Sequence, residues 1–587
     1  MPSNFKPRKF YEVLHRHRHP DASDASTRAV AYAAAELAGA ISEICRAARA
    51  PEFALHHAQI MELALCLAEM AEDISAGGGV WDVVEHHNQE LFGTPLPLFA
   101  RPAADTAGAG SAPRGREMDW RRFAFFLHTV WPFLFEEKTV IAARDLNLKK
   151  IAAAAAGFFK KTFLPAAAGS ASAAAGGVLV SIKTLLNKTS HDGDFDGADL
   201  KKKLIWFGTH SWLLRFGFSD YLLDGKNVDE HRATDLIDDY LCQNCSPWSG
   251  LGTTDFIARL VDSLTDSDRA DLASWHERHR AFFRYNGRAP APAAGGAGFE
   301  SVENLLVRRE YLVRARNFLA DFGVPGGCIL SGSLARWRGA WRWSGAQEQL
   351  GKISGAALEE ILAKMRVKMP RVVYRYDEKL LAKAREMEAL LRDDFVKYYN
   401  GNFAVFPDGL AYAASEQRRM RKYTEARMRA TGMGLQEFQK KHGRKDPAPN
   451  MKLPPGLLNC PGAVAMFYED GDGAEIITEY GGLLAALRGA GDGGGVVTAE
   501  QRAVLLDTMT DAEIGPAFVR RIVAGNGARG IAELFVGKNA GAGATAGGDE
   551  TGAGADEERM LVEYLLRRFK GERFRQPRYP SISLTDG

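Results

Sequence analysis

The amino-acid sequence predicts a mainly helical protein whose second half is of the α+β class. Three observations lead to this class. Up to about residue 285, apolar residues recur three and four positions apart, as they do on one face of an α-helix. Between residues 299 and 347 the pattern changes to short runs of alternating apolar and polar residues, which is typical of β-strands. Helical periodicity then returns, and after residue 450 strand-like and helix-like segments follow one another.

The first region begins with two long segments rich in Ala and Leu, STRAVAYAAAELAGAISEICRAAR and EFALHHAQIMELALCLAEMAEDI, which predict helices. Further along, Thr254 is a predicted N-cap, and Thr265 with Asp268 predicts the start of another helix. The segment 162–182 has no charged residue and is long enough to cross a bilayer of ~30 Å. Because it consists mostly of Ala, Gly and Ser, its transfer into lipid gains little, and we predict a loop.

The helical middle and the C-terminal region also carry boundary signals. One apolar stripe in YDEKLLAKAREMEALLRDDFVKYYNG predicts a long helix that stops at Asn400-Gly401; it consists of Leu380, Leu381, Ala384, Met387, Leu391, Phe395 and Tyr398. The segment GAVAMFYEDGDGAEIITEY predicts a strand and a turn, followed by a strand or a helix. Thr498 with Gln501, and Thr510 with Glu513, predict capping boxes that open later helices.

Small-residue tracts divide the chain, since such compositions bury too little apolar surface to offset chain entropy. The predicted regions are a helical domain (1–285, with Ala/Gly-rich loops near 103–115 and 162–182), a small β region (299–350), a helical region with a basic cluster (351–449) and an α+β domain (450–575, with a disordered segment 540–558).

Composition limits the classes of function. The chain has 587 residues, enough for roughly three or four domains of ~150 residues. Its net charge is only +2, so binding of nucleic acid or of a membrane surface has to rest on local patches. Six cysteines without regular spacing make no disulfide framework, which favours a reducing, cytoplasmic location. The charged N-terminus lacks an apolar signal segment, and we expect no stable membrane insertion.

The segment ILSGSLARWRGAWRWSGAQ predicts a β-hairpin, because Arg338-Gly339 stands where a tight turn belongs and the flanks alternate. The register stays open between two alternatives. A three-residue loop that includes Ala340 places Trp337 opposite Trp341, whereas a two-residue loop groups Leu334, Arg336, Trp341 and Trp343. Either register lets the indoles cover a core while the arginines lie on the surface. Arg and Trp together are also suited to nucleic acid, which makes Arg336, Arg338 and Arg342 candidate binding residues.

The strongest local charge bias lies between Ala414 and Lys445, which hold ten Lys or Arg against three Glu. Arg418, Arg421, Lys422 and Arg429 can share one helical face there, and QKKHGRK follows. A basic helix beside a basic loop is the minimal footprint for binding a phosphate backbone. A solvated helix face without a ligand is the alternative. The nearby Asp408 and Glu416 mimic part of a nuclease signature, but the helical pattern around Glu416 argues against it.

A metal site is the second possibility. His231, Asp235 and Asp239 are spaced four apart on one predicted helical face, and Cys242 and Cys245 follow at its C-terminal end. Cys-x-x-Cys supplies two zinc ligands, so zinc is a possible cofactor, although a second pair at fixed spacing is missing. Buried structural cysteines are the leading interpretation. Another helix, VWDVVEHHNQELFG, spaces Asp82, His86 and Glu90 in a way that metal ligands or an acid–base pair can use.

A resemblance extends over about the second half of the chain. Trp275 and Phe283, followed by CILSGSLARWRGAWRWSG, resemble a segment of poorly characterised bacterial proteins, some of whose relatives carry a C-terminal zinc motif of the SEC-C type. FAVFPDGLAYAASEQ and the C-terminal region are also similar to an uncharacterised family. The Cys-rich zinc motif is absent from this sequence. The resemblance implies a bacterial cytosolic protein and no particular activity.

These features rank three hypotheses for function. The leading one is a non-enzymatic, multi-domain binding protein with nucleic acid as its partner, because the basic residues cluster where no catalytic constellation is recognisable. The second is a metal-dependent hydrolase or nuclease that uses the Asp, His and Cys residues of the helical half. The third is a scaffold for protein–protein interaction.

Overall fold

The structure is a computed structural model of the chain. It describes residues 5–99, 117–135, 139–164, 179–188, 197–223, 230–290, 298–315, 318–351, 353–443, 453–470, 473–489, 497–537, 553–575 and 578–581. The predicted loop at 103–115, most of the segment 162–182 and most of the predicted disordered segment 540–558 lie outside these residues. The last part of that third segment belongs to a helix that begins at Ala553.

The predicted fold class is confirmed, because helices dominate the described residues and the second half combines helices with strands. The helices are α1 (Pro7–His17), α2 (Asp24–Ala48), α3 (His57–Ser75), α4 (Val80–Phe92), α5 (Trp120–Val130), α6 (Leu146–Thr162), α7 (Ile182–Leu186), α8 (Ala198–His210), α9 (Arg215–Leu223), α10 (Glu230–Gln243), α11 (Thr253–Leu260), α12 (Asp266–Ala273), α13 (Gly355–Lys368), α14 (Pro370–Tyr376), α15 (Glu378–Tyr399), α16 (Gly409–Ala430), α17 (Leu435–His442), α18 (Pro455–Leu458), α19 (Tyr480–Arg488), α20 (Ala499–Thr510), α21 (Pro516–Asn526), α22 (Arg529–Phe535), α23 (Ala553–Phe569) and α24 (Gly571–Arg575). The strands are β1 (Arg280–Ala289), β2 (Gly298–Asn304), β3 (Arg309–Ala315), β4 (Ile329–Trp337), β5 (Ala340–Trp343), β6 (Glu348–Gly351), β7 (Phe403–Phe406), β8 (Val464–Glu469) and β9 (Gly473–Ile477).

The chain divides into two compact units. The first consists of Met1–Leu362 and Leu534–Glu572, and the second of Ala363–Glu533 and Arg573–Gly587. The predicted helical region 1–285 and the predicted β region 299–350 therefore lie in one unit.

The helical part of the first unit is built around aromatic side chains. Trp81 and Trp212 are fully buried with ring centroids 6.1 Å apart, and Phe126 stacks on Trp248 at 5.9 Å. Buried aromatic side chains supply most of the apolar area of such a core, and offset or edge-on pairs add further attraction. These contacts bring α4, α5 and the segments after α8 and α10 together.

Helix α23 returns to this helical part through a buried guanidinium. Arg568 donates from Nη2 to the carbonyl oxygen of His128 at 3.0 Å, and its Nη1 lies 2.9 Å from His128 Nδ1. Nε2 of the same imidazole lies 3.2 Å from the carbonyl oxygen of Phe535. Burial lowers the pKa of His128 well below its usual value, and the neighbouring Arg568 lowers it further. A neutral ring that accepts from Arg568 and donates to Phe535 satisfies both contacts.

Five strands of the first unit close into a barrel. β1 pairs with both β2 and β4, β2 pairs with β3, β4 pairs with β5, and β3 lies parallel to β5. The ring therefore runs β1-β2-β3-β5-β4 and back to β1, while β6 extends it at β4. We call β1–β5 the barrel. Its interior contains Phe283, Tyr285, Val302, Val313 and Leu334, with Trp341 and Trp343 packed against them.

The second unit contains the three-stranded antiparallel sheet β7-β8-β9. Its core combines Phe406, Val464 and Met466 of the sheet with Phe395 of α15 and Tyr412 of α16. The antiparallel pairing of β8 with β9 shows that the second element of this segment is a strand, one of the two predicted alternatives. Strand β7 was not predicted, because its four residues FAVF give too short an alternation to separate from the helices on either side.

Several predicted boundaries are confirmed and others are wrong. Thr265 caps α12, Thr498 caps α20, and Asn400 ends α15 in a left-handed conformation with φ 58°. The helix near Thr254 instead has Gly252 as its N-cap. The predicted capping box at Thr510 does not form, because α20 continues to Thr510 and the next helix starts at Pro516.

The helices were also compared with the length and apolar character that a membrane span requires. Among the described residues, every helix is too short or too polar to span a bilayer.

Candidate nucleic-acid-binding surface

Helices α15 and α16 form an antiparallel pair, which we call the helical arm. Their contacts run in opposite directions along the two helices: Tyr399 contacts Glu416, Asp394 contacts Arg419 and Met387 contacts Arg427. The arm starts from strand β7, where Asp408 caps α16 by accepting a hydrogen bond from the Ala411 N–H at 2.7 Å. A side chain at position 409 would lie 1.8 Å from the Leu457 carbonyl oxygen, so only glycine fits at the base of α16.

The interior of the arm contains a neutralised charge cluster. The guanidinium of Arg419 bonds to Glu416 at 2.8 Å and to Asp394 at 2.7 Å, and it lies over the Phe395 ring. Burial alone would lower the pKa of Arg419, but the hydrogen bonds and charges of Glu416 and Asp394 outweigh it and raise that pKa. The Tyr399 hydroxyl donates to Glu416 at 2.9 Å, and burial raises its pKa. Arg419 is thus a structural residue.

The outer face of α16 is different. The predicted residues Arg418, Arg421, Lys422 and Arg429 are all exposed there, as the helical spacing indicated. Among the described residues, no carboxylate forms an ion pair with Arg418, Lys422 or Arg429. The Lys422 ammonium lies 5.2 Å from the centre of the Tyr398 ring, which holds it along the groove between the two helices. We call these four cations the α16 face.

The three candidate arginines of the hairpin have other partners. The hairpin forms with the two-residue loop Arg338-Gly339, whose φ angles of 49° and 73° are both positive. Arg336 pairs with Asp271 at 3.2 Å and Arg338 with Asp268 at 3.1 Å, both on α12. Arg342 is only 7% exposed, so its expected position on the surface is wrong. Arg336 and Arg338 thus connect the hairpin to α12.

The hairpin tryptophans divide between two environments. Trp341 and Trp343 face the barrel, where they contact Tyr311 and Phe283 edge-on. Trp337 projects from the opposite face of the hairpin; it is 1% exposed, next to Trp275 and Gly197. The two-residue loop selects this arrangement, because it places Trp337 opposite Ala340.

The barrel has an outer surface on β2 and β3 that was not predicted from the sequence. Phe299 pairs with Arg314 and Ser301 with Leu312, whose side chain is 43% exposed. On the same surface Glu303 forms an ion pair with Arg284 at 2.8 Å. The alternation in GFESVEN and REYLVRA is the signal that identifies these outward positions.

Comparison with known proteins adds no relative. No family model, no curated protein and no solved structure matches this chain. The resemblance to bacterial proteins related to the SEC-C proteins stays a prediction.

The two aspartates predicted as zinc ligands on α10 form ion pairs with arginines. Asp239 and Asp235 both form ion pairs with Arg278, and Asp235 also pairs with Arg280. Burial raises the pKa of Asp239, and the charge of Arg278 opposes it. The neighbouring Asp238 binds Lys201 at 2.5 Å. These contacts attach α10 to the start of β1.

The leading interpretation, buried structural cysteines, fits Cys242 but only partly fits Cys245. Cys242 is buried, and burial raises the pKa of its thiol, while Cys245 is half-buried. The side chain of His231 lies outside the described residues. Within the described part of the chain, no three His, Cys, Asp or Glu side chains are grouped to hold a metal ion.

In the second candidate triplet, two of the three members contact each other. His86 Nε2 lies 3.1 Å from Glu90 in an exposed pair on α4. Asp82 is at the start of that helix, next to Gly78. Burial raises the pKa of Asp82, and the charge of Arg122 opposes it.

Proposed function

We propose that the protein binds nucleic acid and that the α16 face is its contact surface. The observation that carries this proposal is the exposure of Arg418, Arg421, Lys422 and Arg429 on one side of a helix. The first and last of them are separated by about 16 Å at ~1.5 Å per residue. Glu425 lies within the face, so its net charge is +3 in a chain whose overall charge is +2. The face is therefore the local patch that composition requires for a phosphate ligand.

Arg419 and the exposed cations of the α16 face differ in how far the fold neutralises their charge. Arg419 needs no external anion, because Glu416 and Asp394 already neutralise it. The α16 face gains from a phosphate backbone, since binding releases the counterions that the polyanion condenses. Exposed cations of this kind add little to folding stability, so folding alone does not require their alignment.

The barrel supports the proposal from the first unit. Its ring order, with β3 parallel to β5 and β1 shared between β2 and β4, is the connectivity of the OB-fold. That five-stranded Greek-key barrel binds oligonucleotides and oligosaccharides on its β2–β3 side. Fold alone assigns no ligand. The outward Phe299, Leu312 and Arg314 nevertheless combine the apolar and cationic groups that such ligands contact.

The test is a binding titration with the full chain. Fluorescence anisotropy of labelled single-stranded DNA, duplex DNA and single-stranded RNA at 50 mM salt should give micromolar or tighter binding. The triple variant Arg418→Glu, Lys422→Glu, Arg429→Glu should weaken binding at least about tenfold, because it removes about three phosphate contacts. It should leave the circular dichroism spectrum unchanged.

A charge-matched control makes this test specific. The variant Arg46→Glu, Arg502→Glu, Arg529→Glu changes the net charge by the same amount at exposed positions of α2, α20 and α22. We expect its affinity to stay within about threefold of the unaltered protein, since its cations lie elsewhere. No binding by the unaltered protein at micromolar concentration, or an equal loss in both variants, would overturn the proposal.

A protein partner is the second candidate, favoured by the apolar surface of α15. Leu380, Met387 and Leu390 are 38%, 37% and 42% exposed, and Leu380 and Met387 belong to the predicted apolar stripe. Replacing all three by Asp should abolish capture of a specific partner without changing nucleic-acid affinity. Quantitative mass spectrometry of proteins captured by each form checks this. An identical set of captured proteins contradicts the candidate.

A further inference from the structure

Among the described residues of the helical arm, no aromatic side chain is largely exposed beside the α16 face for a base to stack on. The aromatic side chains of the arm lie elsewhere: Phe395 and Tyr412 are buried, and Tyr399 bonds to Glu416. Tyr398 lies beneath the Lys422 ammonium, and Tyr423 lies 5.8 Å from the Arg427 guanidinium. Proteins that bind single strands without sequence preference rely on successive bases stacking on such rings. This face offers phosphate contacts alone.

The shape of the arm limits how a ligand can approach. Helix α16 has 22 residues, or about 33 Å, and α15 covers one side of it along most of that length. A lone helix fits the major groove of B-DNA, which is about 12 Å wide. Two helices side by side are about 20 Å across and do not fit. The α16 face therefore reaches phosphates on the groove edge, while base edges stay beyond its side chains.

From these two features we infer that the ligand of the α16 face is duplex DNA, held by its phosphate backbone without selection of base sequence. This inference rests on the proposed function. A duplex places phosphates in a fixed row with a high charge density, which a rigid row of cations matches. A single strand has a lower charge density and without stacking gains less from the same contacts.

Replacing Glu425 tests the inference through a gain in affinity, which unfolding of the protein cannot produce. It is exposed and falls between Arg421 and Arg429, one helical turn from each, where its carboxylate repels a phosphate. Glu425→Gln should raise the affinity for duplex DNA by about two- to fivefold at 50 mM salt, because the repulsion is removed. The matched control is Glu43→Gln on the exposed side of α2, where we expect no change.

The experiment compares one 30-base-pair duplex with its two separated strands, using the full chain at several salt concentrations. With about four phosphate contacts, log K should fall with log[salt] at a slope of about −3 to −4 for the duplex. The larger counterion release of the duplex should make its binding about tenfold tighter than that of either strand at 50 mM salt. Arg418→Ala should reduce the slope by about one. Duplexes rich in A·T and in G·C should bind within about threefold of each other.

Three outcomes decide the matter. Duplex preference together with a gain for Glu425→Gln supports the inference. Equal or tighter binding of a single strand, or a clear preference among duplex sequences, overturns the inference and leaves the proposed function standing. Absence of binding to every nucleic acid overturns the proposed function itself.

Discussion

The hairpin between β4 and β5 and the outer face of α16 are two arginine-rich regions of the sequence, and their arginines have different surroundings in the fold. In the hairpin, Asp268 and Asp271 of α12 neutralise two arginines, and the third is buried. On α16 the cations remain exposed. Both segments are rich in arginine, so the difference comes from what the rest of the chain brings next to those arginines. Exposed arginines such as Arg418 and Arg429, which pair with no carboxylate of the described residues, are available to a ligand.

The largest effect should come from the hairpin's buried indole. Trp337→Ala should lower the free energy of unfolding of the first unit by about 3–5 kcal/mol, the usual range for a buried large aromatic. Urea unfolding followed by tryptophan fluorescence measures this unit alone, because all ten tryptophans lie between Trp81 and Trp343. Arg336→Ala, at an exposed position of the same hairpin, should change the value by less than about 1 kcal/mol. Equal stability of both variants would contradict the structural role of the hairpin.

The neighbours Arg418 and Arg419 repeat the comparison within one helix. Arg419→Ala should destabilise the second unit by about 3 kcal/mol or more, because it leaves the buried Glu416 carboxylate without its cation. Arg418→Ala should alter stability by less than about 0.5 kcal/mol and weaken nucleic-acid binding instead. Circular dichroism during urea unfolding is the measurement, since the second unit has no tryptophan. Similar stability losses in the two variants would remove the distinction between structural and exposed arginines.

Removing a carboxylate from α12 should leave a hairpin arginine without its ion pair. Asp271→Ala takes away the partner of Arg336 and the acceptor of the Gly339 N–H at 3.1 Å. We expect a loss of about 1–3 kcal/mol in the first unit, the range for a hydrogen bond that involves a charged group. Asp266→Ala, at an exposed position on the same helix, is the control and should cost less than 1 kcal/mol. The idea that α12 holds the hairpin fails if the two variants unfold at the same urea concentration.

The smallest effect should be a pH dependence of the Asp268–Arg338 pair. Burial raises the pKa of Asp268, but hydrogen bonds from Arg338 and Thr265 outweigh it and hold that pKa below its usual value of 3.8. A depressed pKa contributes stability above pH 3.8, and this contribution is lost as the pH falls through the folded value. The stability difference between the unaltered protein and Arg338→Ala, about 1 kcal/mol at pH 7, should therefore shrink below pH 4. A difference that stays constant from pH 7 to pH 3 argues against the pair.

The sequence predicted local structure well where a local rule decides it. The capping residues Thr265 and Thr498, the stop at Asn400 and the hairpin turn at Arg338-Gly339 all follow from side-chain and backbone preferences of a few residues. Burial was harder to predict. The apolar stripe of α15 has the spacing of one helical face, yet only Phe395 in it is buried.

The long-range pairing of strands could not be predicted from the sequence. The barrel closes through β1 with β4 and through β3 with β5, and neither pair is adjacent along the chain. The carboxylates of Asp235 and Asp239 had the spacing of metal ligands, but Arg278 and Arg280 on another element occupy them. Helical spacing identified the α16 face because all its members belong to one element. Sites made of several elements require the tertiary structure.

The way α23 joins the first unit affects how the chain can fold during synthesis. Arg568 and its neighbours leave the ribosome only after the whole of residues 363–533. At ~5–20 residues per second, synthesis of that segment takes roughly 10–30 s. During that time the carbonyl oxygens of His128 and Thr129 lack the guanidinium that later bonds to them. A nascent chain stalled before residue 534 should therefore expose part of the first unit's core to chaperones and proteases. The second unit would by then already have most of its own sequence.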